Sequence, residues 1–258
     1  MKPVVAIVSQ TPLIGFDALK RAANAVQIQV SRDLAPHWGV DATIKVYETE
    51  SQVPAGEWKT LIKPVLDVDV YGYHTVDAKG VPITYLRYQP NWTVTLSHEI
   101  VEMLVNPYGN KIMSGHEFFG EPRDNDPTND VEYLVEIADP SQTTNDGYEI
   151  EGVRVSDFFL PAFYDLTYTE GKQYSFTGAI KRPLSLSSGG YISFKRLGEW
   201  YQAYNTSNGI VIKRLATGET LTTAQQARFQ RAVLIAFGVV SLGLLIWKIV
   251  KFRRQNNG

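Results

Sequence analysis

The apolar run VVAIVS, Val4–Ser9, has no polar alternation and predicts a strand buried on both faces. Behind it, Leu19, Ala22, Ala23, Val26, Val30 and Leu34 recur at spacings of three and four. That period predicts a helix over 16–35, stopped by Pro36 and Gly39. VDATIKVYE at 40–48 alternates as a strand does. WKTLIKPVLDV at 58–68 predicts another, with Pro64 marking an edge or a bulge. DAKG at 77–80 is a turn that leads into the strand VPITYLRYQ at 81–89. A second helix is expected over 93–105, ended by Asn106 and Pro107. From 115 to 152 the chain is polar and acidic around one short apolar strand, 131–138. Aromatic-rich strands with glycine turns follow in VRVSDFFLPAFYDL, YSFTGAI and GGYISF.

The far end has a different pattern. AVLIAFGVVSLGLLIWKIV at 232–250 is apolar on every helical face, with Lys248 its one charge. At about 1.5 Å per residue it reaches roughly the hydrocarbon thickness of a bilayer. Trp247 sits where an interfacial aromatic would, Arg228 and Arg231 flank one end, and Lys251, Arg253 and Arg254 flank the other. Thr222 with Gln225 reads as a capping box, so the expected helix covers 223–254 and contains a transmembrane span at 232–250. Residues 201–222 read as a stalk and residues 1–200 as one domain. The basic residues after the span favour that tail inside. MKPVVAIVSQ at the start does not read as a signal peptide, because its apolar run is too short. A cytoplasmic domain with a C-terminal anchor and a virion membrane are the other settings.

Composition changes this picture only in part. Formal net charge is −2 over 258 residues, which gives no global electrostatic case for nucleic acid. From residue 195 onward ten Lys and Arg stand against Glu199 and Glu219, so that portion carries +8 and the rest −10. Cysteine is absent, so a metal site must draw on His, Asp and Glu.

Such donors occur in TLSHEIVEMLVNP at 95–107. On a helix His98 and Glu102 are four residues apart and share a face, where two side chains can grip one ion. Leu96, Ile100, Met103 and Leu104 fall at core spacing, so the polar residues are set against a buried surface. A bare HExxE pattern is short, and a solvated surface helix would also carry it. Glu136 and Asp139, in LVEIADP after an apolar strand, are the candidates to return to the helix as remaining ligands. His116 competes as a loop ligand. Asp124, Asp126, Thr128 and Asp130 alternate like a calcium loop, but Asn129 and Val135 stand where that loop needs Gly and Glu. His37 with Trp38, and His74 with Tyr73, read as core or edge aromatics. No phosphate loop, nucleophile elbow or nucleotide fingerprint is present.

The helix resembles the HExxH helix of zincin metallopeptidases, with Glu102 in place of the second histidine. The strand–helix–strand–strand–strand–helix order is similar to the zincin fold. More widely, SHEIVEMLVNPYGN, YLVEIADP, YEIEGVRVSDFFLPAFYD, YSFTGAI and GGYISF resemble a group of bacterial and phage zincin-like proteins over about residues 1–200. That group carries an SHExxEMLxDP helix, and Asn106 departs from it where Asp is usual. The resemblance implies an α+β fold, a zincin-like mixed sheet backed by helices with a β-rich C-terminal half, here followed by a C-terminal transmembrane helix. It implies His98, Glu102 and Glu136 as metal ligands, Asp139 as their support or an alternative ligand, and Glu99 as general base. Zinc is the expected ion, with calcium or manganese as alternatives for an oxygen-rich site. Two functions follow. One is a membrane-anchored metal-dependent hydrolase, a peptidase or a peptidoglycan-directed enzyme. The other is a structural protein of a virion or envelope that keeps the scaffold without catalysis. The partners implied are the lipid bilayer and a protein or peptidoglycan, with no nucleic acid.

Overall fold

In the computed structural model, which describes residues 2–116, 130–165, 167–218 and 220, strand β1 (Val4–Ser9) lies inside a sheet and is buried on both faces. This is why its sequence lacks alternation. Helix α1 (Phe16–Ile28) carries the chain back to β2 (Thr43–Tyr47), which pairs parallel with β1. The apolar period of α1 continues beyond its end, with Val30 and Leu34 still buried, but through a π-helical segment, Gln29–Leu34, and a short helix α2 (Ala35–Trp38). Spacing alone does not separate these from one long helix, since the same side chains stay on the core.

Strand β3 (Trp58–Lys63) pairs parallel with β1, and β5 (Pro82–Arg87) pairs parallel with β3. Pro64 therefore ends an interior strand rather than marking an edge. The edge belongs to β4 (Gly72–Val76), which runs antiparallel to β5 and which hydrophobic pattern did not predict. The sheet order is β2-β1-β3-β5-β4. Helix α3 (Trp92–Val105) follows β5 and packs beneath β4 and β5, buried without a break from Leu96 to Val105.

The second half builds its own sheet, antiparallel, in the order β12-β11-β10-β7-β6. Its strands are β6 (Ile112–His116), β7 (Asp130–Leu134), β10 (Tyr191–Arg196), β11 (Glu199–Thr206) and β12 (Gly209–Arg214). A separate hairpin joins β8 (Tyr148–Ile150) to β9 (Val153–Val155). Glu151 and Gly152 between them both have positive φ, as a two-residue type I′ turn requires. One apolar cluster runs through α1, α3 and the aromatic residues Phe158, Phe159, Phe163, Tyr174 and Phe194, so both halves share a core.

The expected α+β architecture is corrected accordingly. The chain is mixed α/β in which sheet predominates: two five-stranded sheets, one mixed and one antiparallel, with α1 and α3 the only α-helices longer than a turn among the described residues. Residues 201–222 were expected as a stalk, yet most of β11 and all of β12 fall there. Alternating burial in β11 gives its pairs a core-facing side, which a free linker would not need. Among the described residues no helix is long and apolar enough to cross a membrane. The expected span at 232–250 lies outside the described residues.

Candidate metal centre

Helix α3 sets the centre. His98, Glu102 and Asn106 follow one another at spacings of four, a single stripe from the middle of the helix to its C-terminal end. The His98 Nε2 lies 3.3 Å from Glu102 Oε2. Glu99, one position round from His98, points instead beneath the edge strand β4. There a Cβ at Gly72 would stand 2.5 Å from Glu99 Oε1 and 2.8 Å from its Cγ, so the strand can pass over Glu99 only because residue 72 has no side chain.

Two further segments complete the cluster. The chain leaving β7 turns at Ala138 and Asp139, and both backbone N–H groups donate to Glu102 Oε1, at 3.0 and 3.2 Å. That turn brings Asp139 Oδ1 to 3.2 Å from His98 Nε2. From the other side β4 contributes His74, whose Nδ1 lies 3.8 Å from Glu99 Oε2. His74 Nε2 faces the backbone carbonyl oxygen of Asn106 at 3.1 Å and Glu136 Oε2 at 3.7 Å. His74, His98, Glu99, Glu102 and Asp139 are each at most 9% exposed.

Donor atoms converge in two buried groups among the described residues: His98 with Glu102 and Asp139, and His74 with Glu99 and Glu102. Within each, ligand atoms lie within 4.8 Å of one another. These are groups that could hold a metal ion. Glu136 belongs to neither. It stands behind His74, with Oε1 accepting a hydrogen bond from Asn106 Nδ2 at 3.1 Å and Oε2 buried without a hydrogen-bond partner. Asp139 Oδ1 is likewise buried and without one. The structure thus places Asp139, not Glu136, beside His98 and Glu102.

His74 is the residue that sequence reasoning missed. Its sequence neighbourhood beside Tyr73 predicts a core or edge aromatic; it is an edge-strand residue whose ring turns into the cluster. No spacing to His98 could have revealed it, because the link runs through the antiparallel pairing of β4 with β5. Asn106, which the sequence marks only as a helix end and a departure from Asp, continues the His98–Glu102 stripe by one more turn. The side chain of His116, and the calcium-like stretch 124–129, lie outside the described residues.

Four carboxyl groups and two imidazoles share little water. For His74, burial acts to lower the pKa, but Glu136, Glu99 and Glu102 outweigh it and push the ring up to about 10. His98 is driven well above its ordinary value against the same burial, by Glu102 and Asp139. Burial, and then the Glu102 charge, lift Asp139 to about 7. Burial also raises Glu99 and Glu136. Glu102 alone is lowered: burial opposes its charge, but the His98 ring and the Ala138 N–H overcome that. Tyr191, from β10, is partly buried beside Asp139, and desolvation and that carboxylate raise its phenol.

Comparison of the chain with protein-family models, with curated proteins and with solved structures finds no match.

Proposed function

We propose that this chain is a metal-dependent hydrolase whose cation is held by His98, Glu102 and Asp139, with Glu99 as general base. The observation that carries the reading is the convergence of one imidazole and two carboxylates from separate segments within 4.8 Å, buried and beside a third acid, Glu99. Three protein ligands with room for more is the pattern of catalytic rather than structural zinc. Zinc suits the imidazole, and manganese suits the carboxylates. When bound, the ion supplies Lewis acidity toward a scissile carbonyl and toward water beside it.

The protein's own groups do the rest. The Ala138 and Asp139 N–H groups hold Glu102 Oε1, which leaves Oε2, beside His98, as the oxygen that would meet an ion. Glu99, its pKa raised by burial, is suited to take the proton from the attacking water and return it to the leaving group near neutral pH. Gly72 keeps the space that its carboxylate occupies. The substrate class proposed is an amide, in a peptide or in peptidoglycan. The same charges favour a second reading. His98 already lies within 3.3 Å of two carboxylates, so the cluster also stands as a paired network inside a non-catalytic structural protein.

Metal content decides between them. Chelator-treated protein titrated with zinc should take up the ion, and His98→Ala should lose that uptake while remaining folded by circular dichroism. No uptake by the unaltered protein would leave the structural reading alone.

A further inference from the structure

We propose that the same cluster holds a second divalent cation, bound by His74 Nδ1 with Glu99 and Glu102, so that Glu102 bridges two ions. This rests on the first site being a metal site. Three observations carry it. Donor atoms of His74, Glu99 and Glu102 lie within 4.8 Å of one another, as those of His98, Glu102 and Asp139 do, and Glu102 is common to both.

The second observation concerns the His74 ring. Its Nε2 faces the Asn106 carbonyl oxygen at 3.1 Å, and a carbonyl only accepts, so Nε2 carries the hydrogen. In the neutral ring the lone pair is then on Nδ1, the atom facing Glu99. Metal-binding histidines are held in this way by a hydrogen bond from their other nitrogen. The Glu102 carboxylate is oriented too. Its Oε1 accepts two backbone N–H groups, which leaves Oε2 as the oxygen turned to the ions.

The third is charge and orphaned oxygens. Ligating imidazoles are neutral, so Glu99, Glu102, Glu136 and Asp139 bring four negative charges into a buried space. One divalent ion leaves half of that uncompensated; two ions cancel it. Asp139 Oδ1 and Glu136 Oε2 have no hydrogen-bond partner, and Asp139 is 3% exposed and aimed at the His98 ring. Filling the second position makes Glu99 a ligand and removes it as a base. The one-ion form is therefore the hydrolytic one, and the second ion regulates it.

The test uses the full chain, stripped with a chelator and titrated with manganese. Bound metal is measured by equilibrium dialysis, and spin coupling by electron paramagnetic resonance. Two equivalents should bind, and the second should bring a coupled-pair signal, for ions roughly 3.5–4 Å apart. His74→Gln, which keeps an amide N–H for the Asn106 carbonyl, should bind one equivalent with an uncoupled signal. One equivalent in both proteins, or two uncoupled equivalents in the unaltered chain, would overturn the second site and leave the first standing. No binding at all would remove the first site as well. Should His74→Gln fail to fold, the coupled signal of the unaltered chain decides by its presence or absence.

Discussion

The Asn106 amide nitrogen donates to Glu136 Oε1 at 3.1 Å, and no carboxylate could make that bond. The amide orientation is set by Asn106 Oδ1, which accepts the backbone N–H groups of Asn110 and Lys111 at 2.9 and 2.8 Å. Asn106 thus gives this chain a donor toward a partly buried acid whose other oxygen, Oε2, has no hydrogen-bond partner. Asn106→Asp keeps the two loop bonds, loses the donor and adds charge beside Glu136. We expect a loss of about 1–3 kcal/mol in chemical denaturation at neutral pH. Unchanged stability would mean that the Glu136 contact contributes nothing.

Gly72 is constrained by Glu99 rather than by its own backbone. A methyl group there meets Glu99 Oε1 at 2.5 Å and Cγ at 2.8 Å, and Glu99 is buried and cannot swing into solvent. Gly72→Ala should cost about 1–3 kcal/mol as an overpacked site. It should also move the Glu99 carboxylate away from His74, which an experimental structure of the variant would show. A variant with Glu99 in place and full stability would contradict this packing.

The proposed roles of His98 and Glu99 separate by measurement. Glu99→Gln should leave zinc bound at His98, Glu102 and Asp139 while lowering amide hydrolysis by about 10²–10⁴-fold. His98→Ala should lose both. Equal turnover by Glu99→Gln and the unaltered protein would dismiss Glu99 as the base.

Stability should depend on pH in a stated direction. The His74 ring is raised from 6.5 to about 10 in the fold, so its contribution is complete below the unfolded value and is lost as pH rises through about 10. Asp139 is raised from 3.8 to about 7, so the fold favours its protonated form, and ionising it between those values costs stability. Glu136 and Glu99 act in the same sense, and Glu102, lowered, opposes them. The metal-free protein should therefore melt at lower temperature as pH rises from about 5 to 9. Ligands must shed protons to bind an ion, so the thermal shift on adding zinc should be larger at pH 8 than at pH 6. Scanning fluorimetry with and without zinc measures both, and a larger shift at pH 6 would reverse the assignment.

Local features of the chain were legible where one period or one contact sufficed. β1 was bounded from its apolar run, and α3 from its period and from Asn106-Pro107. His98 and Glu102 were paired because helical pitch alone places residues four apart on one face. The halt of α1 at Ile28 was not legible, since the π-helical segment keeps Val30 and Leu34 buried. Nor was β11 readable as sheet, because its partners β10 and β12 supply the reason for its burial pattern.

By itself the sequence determined the helical stripe of donors, the exclusion of thiolate ligands and the acidic character of the segment that joins them. Only the tertiary structure decided that Asp139 rather than Glu136 reaches His98, and that His74 enters from the edge strand. The reason is range. Side chains on one helix are related by its pitch, whereas Asp139 and His74 arrive through the Ala138–Glu102 hydrogen bond and the β4–β5 pairing, contacts that exist only once the sheets have formed.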